Sequence, residues 1–318
     1  MQFFGSLAEL PGDFGPSAVT IGKFDGVHAG HRRVITQLCE AAEPAGLVST
    51  VLTFDRHPLA LLNPEKVPTS LTSAAQKREI LESTGVGALV MVEFTEEFSQ
   101  LSAEDFIKRV LVDAVRARVV FVGVDFRFGH RGRGDVDLLV ERGRDNGFDV
   151  HIIEPVRPEG DRVISSSWIR DLLSEGRVDE AAKLLERLPS VRGEVVHGEQ
   201  RGRALGYPTA NLSANLEGFI PADGIYAAHA TVGGRTMPAA VSIGNNPTFD
   251  GVAEKQVEAH ILDEDLDLYG ATLEISFVEY IRGMAKFDSV PDLVAQIGRD
   301  EARTREILKL PASPKASH

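Results

Sequence analysis

The residues best suited to chemistry fall in a few short clusters. Gly22-Lys23-Phe24-Asp25-Gly26-Val27-His28-Ala29-Gly30-His31 follows an apolar run and leads into a helical pattern. Glycines let the backbone come close to a ligand, a helix start offers free N–H donors and a positive dipole end, and imidazoles three residues apart can reach the same phosphates. Gly22, Phe24, Asp25, Gly26, His28 and His31 therefore read as a phosphate-binding segment. The other readings are a structural turn with two surface histidines, or half of a metal site without a third ligand. The spacing GxxxxGK[ST] is absent, which disfavours a Walker-type NTPase. Further on, Ser165, Ser166 and Ser167 open a helical stretch in which their hydroxyls either cap the helix or hold an anion, and Arg170 adds a fixed positive charge.

A second cluster runs from Gly198 to Asn211. Gly198, Gly202 and Gly206, with Arg201 and Arg203 between them, suit a flap that folds N–H groups around phosphates. The Thr209 hydroxyl and Asn211 carbonyl are the hard oxygens that Mg²⁺ prefers. The competing reading is a flexible hairpin loop followed by an edge strand starting at Pro208. Within Val257-Glu258-Ala259-His260-Ile261, alternation sends Glu258 and His260 to the face opposite Val257, Ala259 and Ile261. Taken alone, Glu258 is an exposed strand carboxylate, and Asn246-Pro247-Thr248 a plain turn. The acidic run Asp263 to Asp267 reads as a solvated loop.

Two kinds of element must position these clusters. From Val19 to about Arg187, short apolar runs (18–22, 47–54, 88–94, 119–124, 150–153) alternate with amphipathic helical stretches, the pattern of βαβ units on a parallel sheet. One helix follows Gly30 and stops near Pro44 and Gly46; another is capped by Ser102. After Leu188 the period becomes alternating. Segments 191–197, 224–232, 236–243, 257–262 and 271–281 read as strands of a small antiparallel barrel or sandwich, and residues 290–310 return to helical spacing. The expected fold class is thus α/β plus β, divided into residues 1–187 and 188–318.

Composition limits the partners. Lys and Arg number 34 against 47 Asp and Glu in 318 residues, a net charge of −13, so a general binder of nucleic acid or of anionic membrane is disfavoured. An anionic substrate must be held locally. The single cysteine, Cys39, forms no intramolecular disulfide, and the sequence carries neither a signal-peptide pattern at its start nor an apolar run of 18 residues, so the expected location is the cytoplasm. No feature specifies an oligomeric state.

The clusters also resemble a known family. His28-Ala29-Gly30-His31 resembles the HxGH signature of the nucleotidylyltransferase superfamily. Thr53-Phe54-Asp55-Arg56-His57-Pro58 resembles the TFDPHP stretch of the bacterial bifunctional riboflavin kinase/FAD synthetases, Val122 to Gly129 their VGxDFRFG, and Ser165 to Arg170 their SSTxIR. Gly198 to Asn211 is similar to the riboflavin kinase signature GxxxGRxLGxPTAN, and Gly244 to Phe249 to GxNPTF. The resemblance covers the chain from about Val19 to Leu308. It implies a Rossmann-like nucleotidylyltransferase domain, then a riboflavin kinase barrel with a C-terminal helix.

The activities implied are phosphorylation of riboflavin by ATP to FMN, then adenylylation of FMN by a second ATP to FAD, both with Mg²⁺. His28, His31 and Arg170 would act on the ATP phosphates, Glu258 as the kinase base, and Thr209 and Asn211 on the metal. Phe54, His57, Pro58, Asp125, Phe126 and Phe128 would line one flavin site, and Asn246 and Thr248 the other. Single aromatics such as these otherwise serve a core. Departures are small: Lys23 replaces a small or polar residue, Ser167 a threonine, and Asp125 an asparagine of some members. Two alternatives fit the same motifs, a kinase whose adenylylating module is impaired at Lys23 or Ser167, and a non-catalytic flavin sensor or carrier.

Overall fold

The computed structural model describes residues 1–158, 162–198, 206–245 and 255–311, which divide into two compact units, Met1–Ser166 and Ser167–His318. The first is built on six parallel strands: β1 (Gln2–Phe4), β2 (Ser17–Ile21), β3 (Val48–Phe54), β4 (Ala88–Val92), β5 (Ala117–Gly123) and β6 (Asp149–Ile153). Their order is β1-β4-β3-β2-β5-β6. Every residue of β2 and β4 is buried, as continuous apolar runs require when helices cover both faces, whereas β6 at the edge is largely open. The reversal of strand order beside β2 creates a crevice at the carboxyl ends of β2 and β5, the place where α/β sheets bind ligands.

Helix α1 (Ala29–Ala42) starts at the end of the segment that follows β2, and buries Ile35, Leu38 and Ala42. Helix α2 (Ala74–Glu82) has a complete capping box, with the Ser73 hydroxyl accepting from Gln76 N and the Gln76 side chain accepting from Ser73 N. Ser102 caps the helix that starts at Ala103, its hydroxyl accepting from Asp105 N as its sequence predicts.

The second unit is a closed barrel of β7 (Ser190–Val196), β8 (Ala210–Leu212), β9 (Gly224–Val232), β10 (Arg235–Asn245), β11 (Lys255–Ile261) and β12 (Thr272–Arg282) in the order β10-β11-β8-β7-β12-β9, with β10 and β9 closing the ring. All pairings are antiparallel. The unit also includes the helices at Ser166–Ser174 and Val178–Leu185 and the C-terminal helix at Val290–Ile307. The division between the compact units falls at Ser166/Ser167, N-terminal to the change of period at Leu188. Those two helices fasten to the barrel unit: Ala222 N donates to Leu173 O, and the Tyr226 hydroxyl donates to Ala222 O. The C-terminal helix is tied by partly buried ion pairs. Arg282 grips Asp300 through two bonds of 2.9 and 2.6 Å, and Arg305 reaches Asp263 at 2.5 Å and Glu301 at 3.0 Å.

Candidate functional site

In the first unit, the segment after β2 has an unusual backbone. Phe24, Gly26 and Val27 have φ of 49°, 78° and 40°. Glycine takes this left-handed region freely, but a β-branched valine there is strained and is held by its surroundings. Val27 and Phe24 are buried, so the loop is fixed by its own apolar side chains. Phe24 contributes its backbone and a core ring rather than a side chain that faces a ligand.

The loop delivers His28 to the N-cap of α1, where its ring makes no capping bond, and His31 one turn on. The two rings stack at 3.7 Å with an interplanar angle of 18°, and Phe24 lies 5.0 Å from His31. Nδ1 of His31 is sealed from solvent and has no hydrogen-bond partner among the described residues. Burial pulls the His31 pKa well below its ordinary value, and the charges of His28, Lys77 and Lys23 push the same way. His31 is therefore a neutral imidazole in the free protein, next to two lysine cations.

Long-range bonds hold this loop. Asp25, itself buried, accepts from Leu71 N at 2.8 Å, and the Ser166 hydroxyl donates to Asp25 O at 2.9 Å. The Thr53 hydroxyl donates to Lys23 O at 3.1 Å. The expected serine roles are thereby distinguished, because Ser166 anchors the loop. Ser167 and Arg170 fall in the second unit, where Arg170 Nη1 donates to Ser167 Oγ at 3.4 Å.

His57 lies just past β3 and is half-buried, with Nδ1 accepting from Leu59 N at 3.1 Å; its proton in the neutral form is therefore on Nε2. Pro58 precedes a short helix at Leu59–Leu62. Phe54 meets Phe94 and Phe98 edge-on at 5.2 and 5.8 Å. Asp125 is exposed and Phe126 half-buried, stacked at 5.5 Å on Phe128. Phe128 is 5% exposed and packs on Phe106, so it belongs to the core rather than to a ligand-facing surface.

In the second unit, register does the positioning. β8 pairs with β11 so that Asn211 stands opposite Glu258 and Ala210 opposite Ala259. Both polar side chains are half-buried and share a face of the sheet. Gly198 lies against Asn211: a Cβ there would come within 2.5 Å of the Asn211 side chain. His260, 8% exposed, extends this order past the ladder. Its Nδ1 lies 2.8 Å from Pro208 O, and a carbonyl only accepts, so Nδ1 carries the proton. Tyr207 meets the same ring edge-on at 5.4 Å. Gly206 is exposed with φ of 83°. Arg201, Gly202, Arg203, Asn246 and Thr248 lie outside the described residues.

A cavity of about 130 Å³ opens beside Thr209, lined also by Val195, Pro208, Ala259, Ile261 and Tyr269. Its wall includes Glu264 to Tyr269, so the acidic run read as a solvated loop also builds a pocket. The aspartates masked the signal, which was Leu266, Leu268 and Tyr269 among them. Arg305 holds the start of this wall through Asp263, and His197 stacks on Tyr269 at 3.7 Å.

No group of three or more His, Cys, Asp or Glu that could hold a metal occurs among the described residues. The Thr209 hydroxyl, Asn211 amide and Glu258 carboxylate instead form a sparse set of hard oxygens. Such a set fits a divalent ion that keeps several waters and arrives on phosphates.

Comparison with known proteins agrees with this division. Residues 11–167 match the FAD synthetase family and residues 185–308 the riboflavin kinase family. The bifunctional riboflavin kinase/FMN adenylyltransferase of Listeria monocytogenes is 38% identical over 90% of this chain and 91% of its own length. The enzyme of the same name from Escherichia coli K12 is 37% identical over 92% and 93%, and that of Bacillus subtilis 34% identical over 90% of both. A crystal structure described as a macrolide-efflux protein from Streptococcus pneumoniae superposes with a TM-score of 0.85 and 34% identity, covering 95% of this chain and 98% of that one. Among the described residues no helix is long and apolar enough to cross a membrane. With both family matches in order and relatives aligned over nearly their full length, the chain belongs to the bifunctional riboflavin kinase/FMN adenylyltransferase family.

Proposed function

We propose that the second unit transfers the γ-phosphoryl of ATP to the terminal ribityl hydroxyl of riboflavin, giving FMN, and that the first unit joins FMN to the adenylyl group of another ATP, giving FAD and pyrophosphate. The observation that carries this reading is the presence of two separately built polar sites in one chain, each inside the span of its own family match. One cysteine and an acidic composition are in keeping with a cytoplasmic enzyme of small molecules.

Adenylyl transfer asks mainly for charge compensation at the α-phosphate and on leaving pyrophosphate. His28 and His31 supply N–H donors beside the free start of α1, and Gly22 and Gly26 let the main chain close on the phosphates. Ser165 is assigned to the pyrophosphate, and His57, Pro58, Phe54, Phe126 and Asp125 to the flavin side. In the kinase step Glu258 accepts the proton of the attacking hydroxyl. Gly198 and Gly206, with Arg201, Gly202 and Arg203, are assigned to the phosphates, and the cavity beside Thr209 receives the nucleotide base. Thr209 and Asn211 would hold Mg²⁺, which offsets charge on the phosphate oxygens.

Chromatography of reactions with riboflavin, ATP and Mg²⁺ tests the assignment. Glu258→Gln is expected to abolish FMN formation while sparing FAD formation from supplied FMN, and His28→Ala the reverse. Loss of both activities from either substitution in a folded protein would refute one reaction per unit.

A further inference from the structure

Lys77 is a buried cation with no part in the reactions as described so far. It sits in the first turn of α2 at 7% exposure, and its Nζ donates to two main-chain carbonyls, Phe54 O at 3.0 Å and Lys23 O at 3.2 Å. Phe54 ends β3, just before Asp55-Arg56-His57-Pro58, and Lys23 lies between β2 and His28. One ammonium thus joins the loops that follow two neighbouring parallel strands, β2 and β3, which are in register through Ile21 and Leu52.

A buried ammonium is costly, and stability alone favours an apolar side chain of the same length. Here Asp25 and Asp55 support the charge while burial lowers its pKa. Nζ itself donates to the two carbonyls, and the short-range work of the charge is done there. The Thr53 hydroxyl already binds Lys23 O, so Lys77 is not needed merely to satisfy that group. What it adds is a link between the two loops and a fixed positive charge close to His31.

We propose that Lys77 is a positioning residue for adenylyl transfer, tying the loop that carries the two histidines to the loop that carries His57. Its effect runs through those loops, so adenylyl transfer should lose turnover more than ATP affinity. This inference rests on assigning FAD formation to the first unit. His28→Ala on the full chain tests that assignment separately: if it leaves FAD formation intact, the assignment itself fails.

The test compares Lys77→Met, which removes charge and donors, with Lys77→Gln, whose amide keeps two donors. Riboflavin phosphorylation serves as an internal control on the same full-length preparations. In Lys77→Met, kcat for FAD formation should fall by about 100-fold, the scale of a 1 Å misplacement, with a change of no more than about threefold in KM for ATP and unchanged FMN formation. Lys77→Gln should recover about tenfold of the loss. In both variants the His31 imidazole, followed by NMR and assigned with His31→Gln, should titrate higher than in the parent, because a cation facing it beside His28 and Lys23 is gone. FAD formation at the parent's rate in Lys77→Met overturns the proposal, as does a folded Lys77→Gln no more active than a folded Lys77→Met. If Lys77→Met fails to fold, Lys77→Gln decides alone. In that case a raised His31 titration with FAD formation about tenfold below the parent supports the tie, and formation at the parent's rate or a loss as deep as that of His28→Ala overturns it.

Discussion

In the first unit the polar residues reach their places through bonds that span the sequence, Leu71 to Asp25, Ser166 to Asp25 and Lys77 to Lys23 and Phe54, whereas in the second Asn211 and Glu258 meet because two strands are paired in register. The reason is topological. Loops after parallel strands leave the hydrogen-bond ladder before they reach the ligand, so buried side chains must fix them. A barrel wall is itself a ladder, and a residue placed on it inherits the position of its neighbours.

Disturbing the ladder from its side should have the largest effect. Gly198→Val puts a Cβ within 2.5 Å of the Asn211 side chain and should lower kcat for FMN formation by about 100-fold, with FAD formation from FMN unchanged. Equal loss of both activities would mean that the two units do not act separately.

Removing a tie in the first unit should instead affect folding as well as turnover. Asp25→Ala leaves Leu71 N without its acceptor and should cost the first unit about 1–3 kcal/mol, read by denaturant unfolding, together with FAD formation. Lost activity at unchanged stability would show that Asp25 acts on ligand alone.

His260 gives a smaller and more selective effect in the barrel. His260→Ala should reduce kcat for FMN formation about tenfold, the worth of one buried hydrogen bond. His260→Asn should restore most of it, because the asparagine amide can replace Nδ1 as donor to Pro208 O, while His260→Gln should not. Equal behaviour of the three variants removes the bond from the account.

The smallest effect is one of pH. His31 titrates near 6.5 when unfolded and lower when folded. Between those values the unfolded chain binds a proton that the folded chain does not, so stability is complete above about 6.5 and declines as pH falls through this window. The melting temperature of the first unit should drop between pH 7 and pH 5.5 by more in the parent than in His31→Gln. Parallel curves for the two proteins would count against a neutral His31.

Much of this organisation was legible in the sequence, for physical reasons that differ by residue. β4 is apolar through its length and β2 is buried at every residue because both faces are covered, and β7 alternates because one face is open, so both kinds of strand declare themselves. β1 did not, since three residues are too few to show a period. The helices at Ser166–Ser174 and Val178–Leu185 look alike whichever sheet they cover, so the change of period marks the start of the barrel strands and not where the compact units divide. The motifs single out His28, His31, Asn211 and Glu258, and folding stacks the first two and sets the last two opposite each other. Lys77 was not, because in Ala74–Glu82 it reads as one more charge on a solvated helix, and only folding brings it under two carbonyls. Nor does any residue type announce the left-handed backbone at Phe24 and Val27, which the surrounding core imposes.

Closure of the barrel has a thermal consequence. With six strands paired around a ring, β8 cannot slide against β11 without every other pairing shifting as well. Asn211 therefore stays opposite Glu258 until the whole ring opens, and on warming, FMN formation should disappear in a single step at the barrel's melting point. The tied loops of the first unit can release one by one, so FAD formation should fade gradually at temperatures where its sheet is still intact.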